Sequence, residues 1–288
     1  MHQADPIAIL EADPETTLLL DRRERHLADA SQASGLVLAG VWELPSRDDG
    51  PPIYAALLRP PSHEMDPTVG YPFPKRIECA DATYLRFVDR FYLPAAPDPV
   101  VSAVLFDLIA DVYDRLTSPD VNIETARLLL QAVLGNCAVK TPRILDFGCG
   151  TGLALEAVRR IERHSDDLEL IGTDVSQKML ELAARRGERV LRLDQWRALP
   201  NDSFDGAISA FVFHFGVPRE DQNRIALQLR PGARLAANYF KANAQAIEML
   251  VSDLAHCGLV LEKMESMATT PRSENRMIVF VKSPTRAE

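Results

Sequence analysis

From Arg143 onward the apolar positions change spacing segment by segment. Short runs of contiguous or alternating apolar residues (Arg143–Phe147, Leu168–Thr173, Arg189–Asp194, Asp205–Phe211, Ala233–Tyr239) take turns with stretches in which apolar residues recur every three or four positions (Leu153–Arg163, Ser176–Arg186, Glu220–Leu229, Ala242–His256). A two-residue period marks a strand and a 3.6-residue period a helix, so this is a β/α alternation. It predicts an α/β fold, a doubly wound and mostly parallel sheet with helices on both faces. Two further strands, Leu259–Ser266 and Arg276–Lys282, follow with no helical stretch between them. They predict an antiparallel C-terminal hairpin at one edge and bring the sheet to seven strands. Val100–Leu116 and Asn122–Leu134 read as amphipathic helices ahead of the first strand.

The front of the chain has a different texture. Residues 1 to about 40 read as helical, with Asp13-Pro14-Glu15 as a helix start, Leu18, Leu19, Leu20, Leu27 and Ala30 as an apolar face, and Gly35 as the stop. Eight of the twenty prolines fall between Pro45 and Pro74 and argue for irregular structure, with Ile53–Leu58 as a short strand or helical turn. Tyr84, Phe87, Val88 and Phe91 fit helical spacing, either as a face packed on the main domain or as a lid over a substrate pocket. The Pro94–Pro99 stretch reads as a linker. Residues 1–99 are therefore taken as a helical and irregular N-terminal extension (substrate cover, lid or dimer surface), and residues 100–288 as the main domain.

Composition narrows the partners. A net charge of −9 argues against a nucleic-acid backbone as the main ligand, since phosphate binding rests on clustered Lys and Arg. The local clusters Arg159/Arg160/Arg163 and Arg185/Arg186/Arg189 read as solvated helix faces. Cys79, Cys137, Cys149 and Cys257 have neither metal-ligand nor disulfide spacing, so reduced thiols and a cytoplasmic protein are expected. Cys149 reads as a small side chain filling a tight space. No leader-like segment opens the chain, and no apolar run approaches the roughly 20 residues of a membrane span.

The chemistry concentrates at Arg143–Leu155, R-I-L-D-F-G-C-G-T-G-L-A-L. A strand runs into Gly148, Gly150 and Gly152 and then a helix start, a turn that offers backbone N–H groups to a small polar ligand. The dinucleotide fingerprint G-x-G-x-x-G would need its third glycine where Leu153 stands. Asp146, two residues before the first glycine, would repel a pyrophosphate and suits a ligand carrying an ammonium group. The local chemistry thus favours S-adenosylmethionine (SAM) over NAD.

The segment I-L-D-F-G-C-G-T-G resembles the first motif of class I SAM-dependent methyltransferases. In order behind it, L-I-G-T-D-V-S-Q-K-M-L, V-L-R-L-D-Q-W-R-A-L-P, N-D-S-F-D-G-A-I-S-A-F-V-F-H-F and L-R-P-G-A-R-L resemble their second to fifth strands, and F-D-L-I-A-D-V-Y-D-R-L their cofactor-covering helix. The resemblance spans about residues 104–282 and implies a Rossmann-like fold. It implies that Gly148, Gly150 and Gly152 pass beneath the methionine and ribose of SAM, that Asp146 meets the ammonium, and that Asp174 accepts from the ribose hydroxyls. By the same resemblance Val175 and Met179 flank the adenine, and Asp194 accepts from its amino group with the Gln195 backbone beside it. Phe211 then touches cofactor and substrate, and Tyr113 closes over the methionine end, with core packing as its rival role. Trp196 is open between adenine cover and core.

Methyl transfer from a sulfonium is an in-line displacement that needs alignment and, for a neutral acceptor, removal of a proton. No Asn/Asp-Pro-Pro-Tyr set follows the fourth strand, no Cys-Pro pair suits attack on cytosine, and no acidic set suggests a magnesium site, so no metal is expected. His214 is the titratable group after the fourth strand, as a general base or as an orienting and packing residue. Asn238 and Tyr239 end the fifth. The expected function is methyl transfer from SAM to O, N or C of a small-molecule metabolite, with S-adenosylhomocysteine as product, in a pocket between the SAM domain and the N-terminal region. The alternative is a SAM-binding protein that does not methylate. A homodimer is an open expectation; neither nucleic acid nor membrane is an expected partner.

Overall fold

The computed structural model describes residues 5–46, 50–61, 73–88, 90–95, 98–135, 137–161, 168–240, 244–267 and 275–283. They divide into two compact units, the first ending at Asp111 and the second beginning at Val112.

The first unit corrects the expectation of a helical and irregular extension. It comprises α1 (Pro6–Ala12), β1 (Thr17–Asp21), α2 (Glu24–Ser34), β2 (Val37–Leu44), β3 (Ile53–Arg59), β4 (Arg76–Glu78), β5 (Thr83–Phe87), β6 (Phe91–Pro94) and α3 (Pro99–Ile109). The strands form a mixed sheet in the order β2-β3-β1-β6-β5-β4. The contiguous leucines of β1 are all buried: β3 and β6 pair with the two edges of the strand, and α1, α2 and α3 pack against it. A run without gaps suits a doubly covered strand better than a helix stripe. The helix start falls earlier than expected: Asp5 accepts from the Ile7 amide at 2.9 Å ahead of Pro6, while Asp13 ends that helix.

Tyr84, Phe87, Val88 and Phe91 satisfy a helical spacing but belong to a hairpin. Val88 turns the chain at φ 47°, and the Arg90 amide donates to Phe87 O at 3.2 Å. Tyr84 then joins Leu19, Leu27 and Tyr92 in this unit's own core. His26 is buried there too, 3.2 Å from Asp21, which also accepts from the Tyr84 hydroxyl. Phe106 of α3 meets Phe87 edge-on at 5.9 Å on the opposite face of the sheet. The proline-rich stretch supplies β3, while residues 62–72, with His63, Pro67 and Tyr71, lie outside the described residues.

The helix expected over Val100–Leu116 is broken: α3 stops at Ile109, Ala110–Val112 tightens into a 3-10 turn, and α4 (Tyr113–Leu116) is a single turn. The second unit continues with α5 (Pro119–Leu134), β7 (Arg143–Phe147), α6 (Leu153–Arg159), β8 (Glu169–Asp174), α7 (Gln177–Arg185), β9 (Arg189–Arg192) and α8 (Leu193–Arg197). After them come β10 (Phe204–Ser209), α9 (Arg219–Gln228), β11 (Leu229–Phe240), α10 (Ala244–His256), β12 (Leu259–Ser266) and β13 (Asn275–Lys282). The sheet order is β12-β13-β11-β10-β7-β8-β9, with β13 antiparallel to both neighbours and the pairs from β11 to β9 parallel. This is the Rossmann-like doubly wound sheet with its C-terminal hairpin.

Alternation along β7 divides the core. Ile144 packs with α5 and α6 residues such as Leu130, Val133 and Ala157, while Leu145 and Phe147 pack on the other face with Trp196, Ile225 and Phe280. Trp196 is fully buried, 5.2 Å from the Phe147 ring, which makes it a core residue. Strand order reverses direction at β7, whose neighbours β8 and β10 lead to opposite edges. In open α/β sheets the crevice at the carboxyl ends beside that reversal is where ligands bind.

Candidate functional site

β7 carries the glycine turn to that reversal point. Gly148, Gly150 and Gly152 have φ of 79°, 54° and 83°, the left-handed region that side chains disfavour. The Gly148 and Cys149 amides donate to Thr173 O at 2.8 and 3.1 Å, which fastens the turn to the end of β8. A Cβ on Gly148 would lie 2.2 Å from Val212 Cγ2, and one on Gly152 2.8 Å from Ala183 Cα. A Cβ on Gly150 would meet no heavy atom within 4 Å. The outer glycines are thus required by packing, and the middle one leaves backbone that a ligand can approach.

Three carboxyls surround the turn. Asp146 shares the Ile144 side of β7 and is 2% exposed; burial, and after it the charge of Asp174, raises its pKa to about 7. Asp174 ends β8, accepting from the Gly150 amide at 2.9 Å and from the Ser176 amide at 2.8 Å. Glu188, which the sequence does not flag, is 4% exposed and has no hydrogen-bond partner on either oxygen among the described residues. Burial and then Asp146 and Asp174 raise it well above the usual carboxylate range. Its oxygens lie 2.5 Å from a Cβ imagined on Gly172 and 3.0 Å from one on Gly152, so it sits directly under the turn. Burial, followed by Glu188 and the two aspartates, raises the Cys149 thiol, which fits an unreactive space-filling residue. This acidic setting is complementary to a cationic group and opposes a pyrophosphate, so the residues present fit a cofactor bearing an ammonium.

Tyr113 lies on α4. The residue is half-buried, and burial of its hydroxyl, then the charges of Asp174 and Asp114, hold its pKa above the ordinary phenol value. Asp114 accepts from the Thr151 hydroxyl at 2.9 Å and pairs with Arg186. A cleft of about 510 Å³ opens beside this contact, lined by Asp114, Gly152, Glu156, Arg186 and neighbours.

The other predicted cofactor residues are more spread out. Val175 is half-buried after Asp174, whereas Met179 is buried, its amide donating to Ser176 Oγ at 3.1 Å in the cap of α7. The strand expected to reach Asp194 ends at Arg192. Asp194 lies in the first turn of α8 instead, 70% exposed and paired with Arg192, which lowers its pKa. Gln195 is exposed, its side chain accepting from the Arg192 amide at 3.0 Å.

Opposite the turn, the chain after β10 carries Phe211 at φ 59°, a strained setting for an aromatic residue. Its amide donates to Asn238 Oδ1 at 2.6 Å, and Asn238 Nδ2 donates to Asn275 Oδ1 at 2.8 Å, both asparagines being fully buried. Phe211 meets Phe240 edge-on at 5.9 Å. The His214 ring lies 4.2 Å from Phe215, 6.2 Å from Tyr239 and 6.3 Å from Phe240. Asp146, the glycines, Asp174 and Tyr113 thus gather at one side of the reversal point, and Phe211, His214 and Tyr239 at the other. Among the described residues no cluster of three or more His, Cys, Asp or Glu could hold a metal ion, and no helix is long and apolar enough to cross a membrane.

Sequence reasoning passed over Asp114, Thr151, Glu188 and Asn275. Thr151 stood inside the motif, and Glu188 follows a glycine that ends α7. Asp114 and Asn275 act through partners far along the chain.

Residues 144–232 match the family model described as a methyltransferase domain. The demethylmenaquinone methyltransferase of Thermotoga maritima is 32% identical over 115 residues, covering 38% of this chain and 48% of that protein. An O-methyltransferase of Aspergillus nomiae is 33% identical over 126 residues, covering 40% of this chain and 54% of that protein. The chain spans about half the length of the curated relatives it matches. The solved structure of the 4+2 cyclase SpnF has a TM-score of 0.51 at 18% identity, covering 66% of this chain and 98% of that one, a likeness of fold.

Proposed function

We propose that this chain, whose residues 144–232 match a methyltransferase domain, is a class I SAM-dependent methyltransferase that transfers a methyl group from SAM to O, N or C of a small molecule. The observation that carries the reading is the Gly150 amide held by Asp174 beside the buried Asp146, an acidic turn with approachable backbone. The name of one curated relative, a demethylmenaquinone methyltransferase, supports a small-molecule acceptor.

SAM, when bound, supplies an electrophilic methyl on a sulfonium and leaves as S-adenosylhomocysteine. Gly148 to Gly152 would admit it against the backbone, Asp146 would take the ammonium, and Asp174 would use its remaining lone pairs for the ribose hydroxyls. Tyr113 shields the methionine end from water. Val175 and Met179 border the adenine side, with Asp194 and Gln195 at the outer end of that pocket. On the acceptor side Phe211 sets the floor, and His214 takes the proton from an acceptor O–H or N–H as the methyl is transferred.

The test is incubation with methyl-labelled SAM and a fractionated metabolite extract. Label should enter a small organic fraction, and His214→Gln should lower kcat by about 10²–10⁴. Tight binding of SAM with no transfer across the extract would favour a SAM-binding protein that does not methylate.

A further inference from the structure

We propose that Asp114 is a positioning residue that fixes Tyr113 over the glycine turn by bridging Thr151 and Arg186. The inference rests on reading the turn as the SAM cradle.

α4 has four residues, and its N-cap Val112 makes no side-chain cap bond. A single turn does not sustain itself in water. Two sets of contacts help to hold it. At its end the Thr117 amide and hydroxyl both donate to Tyr113 O at 3.0 Å. In its middle the two carboxylate oxygens of Asp114 go to different segments, one to the Thr151 hydroxyl at 2.9 Å and one to the Arg186 guanidinium. Thr151 is buried inside the glycine turn. Arg186 is the residue after α7, and Gly187 leads from it to Glu188 beneath Gly152. Asp114 therefore ties α4 to the turn itself and to the segment that supports the turn from below.

Neighbouring helix positions diverge by about 100°. With Asp114 committed to Thr151 and Arg186, the Tyr113 side chain is directed to the adjacent face, where its hydroxyl comes under the charge of Asp174. The Arg186 pair is partly exposed, so solvent screens it. The Thr151 bond, charge-assisted and largely sheltered, sets the position.

The test is a double-mutant cycle on the full chain, read as the Kd for S-adenosylhomocysteine by calorimetry, with thermal unfolding as the fold control. Asp114→Ala should weaken binding about tenfold, as expected for losing one charge-assisted hydrogen bond. In a Tyr113→Ala background the same change should cost almost nothing, because the residue acts through Tyr113. Thr151→Ser should bind like the wild type, whereas Thr151→Val should match Asp114→Ala. Asp114→Asn, the milder variant, keeps an acceptor for Thr151 and should stay within about threefold of wild type. Additive losses in the cycle, with wild-type binding intact, overturn the inference alone. Failure of the wild type to bind S-adenosylhomocysteine overturns the cofactor reading and the inference with it.

Discussion

The Gly150 amide donates to Asp174 Oδ2 at 2.9 Å, so the middle of the glycine turn is held by a carboxylate 24 residues downstream. Asp174 also holds the Ser176 amide at the entrance to α7, and it therefore shapes the turn before any ligand arrives. Asp174→Ala removes both contacts and, on the proposed reading, the acceptor for the ribose. At about 1.5–3 kcal/mol for a charge-assisted bond, affinity for S-adenosylhomocysteine should fall about 10- to 150-fold by calorimetry. Hydrogen exchange at Gly150 should quicken in the same variant. Unchanged affinity would mean that the second strand is out of register with the cofactor.

Asp146 gives the site a pH dependence of definite sign. Burial, then Asp174, raises its pKa to about 7 in the folded chain, above the ordinary carboxylate value. The folded state then holds a proton that the unfolded state has lost, and stability falls as pH rises from about 4 through about 7. An ammonium beside Asp146 favours the ionised form, so binding near neutrality releases a proton. Affinity for SAM should rise with pH up to about 7 and level off above it. Calorimetry in buffers of different ionisation enthalpy should detect the proton, and Asp146→Asn should abolish the slope.

Asn238→Ala should damage the acceptor side of the site. It removes the acceptor from the Phe211 amide and a donor from Asn275, in a fully buried setting. Denaturant unfolding should register a loss of about 1–3 kcal/mol. Phe211→Gly in the same chain should recover part of it, because glycine adopts the left-handed backbone without strain. The double variant, having lost the aromatic wall, should remain slow in methyl transfer.

Glu188 gives the opposite expectation. A buried carboxyl without a partner costs about 1–3 kcal/mol, so Glu188→Met, similar in shape and apolar, should raise stability by a comparable amount. Because burial penalises the ionised form, the gain should be larger at an alkaline pH than at an acidic one. Thermal unfolding at the two pH values checks both statements.

The second unit was legible in the sequence because its apolar spacing switches cleanly between two and 3.6 residues, and because Asp146, the glycines and Asp174 lie within one short motif series. The first unit was not. Its strands β4 and β6 have three and four residues, too short to establish a period. Tyr84, Phe87 and Phe91 fit a helix as well as two strands. Within the site, Asp114 meets Thr151 and Arg186 across 37 and 72 residues, and Asn238 meets Asn275 across 37. Only the fold brings such partners together, so no local pattern could announce them. Asp194 was misjudged in its backbone: a helix that starts at Leu193 turns its side chain to Arg192.

The asparagine pair also ties the site to the far end of the sequence. The glycine turn and its Asp174 anchor come from the first two strands of the second unit. Phe211 depends on Asn238, which leans on Asn275 in the last strand of the sheet. The backbone at Phe211 is therefore secured only when β13 lies between β11 and β12. A break in the last strand should be felt at Phe211, far from it in sequence.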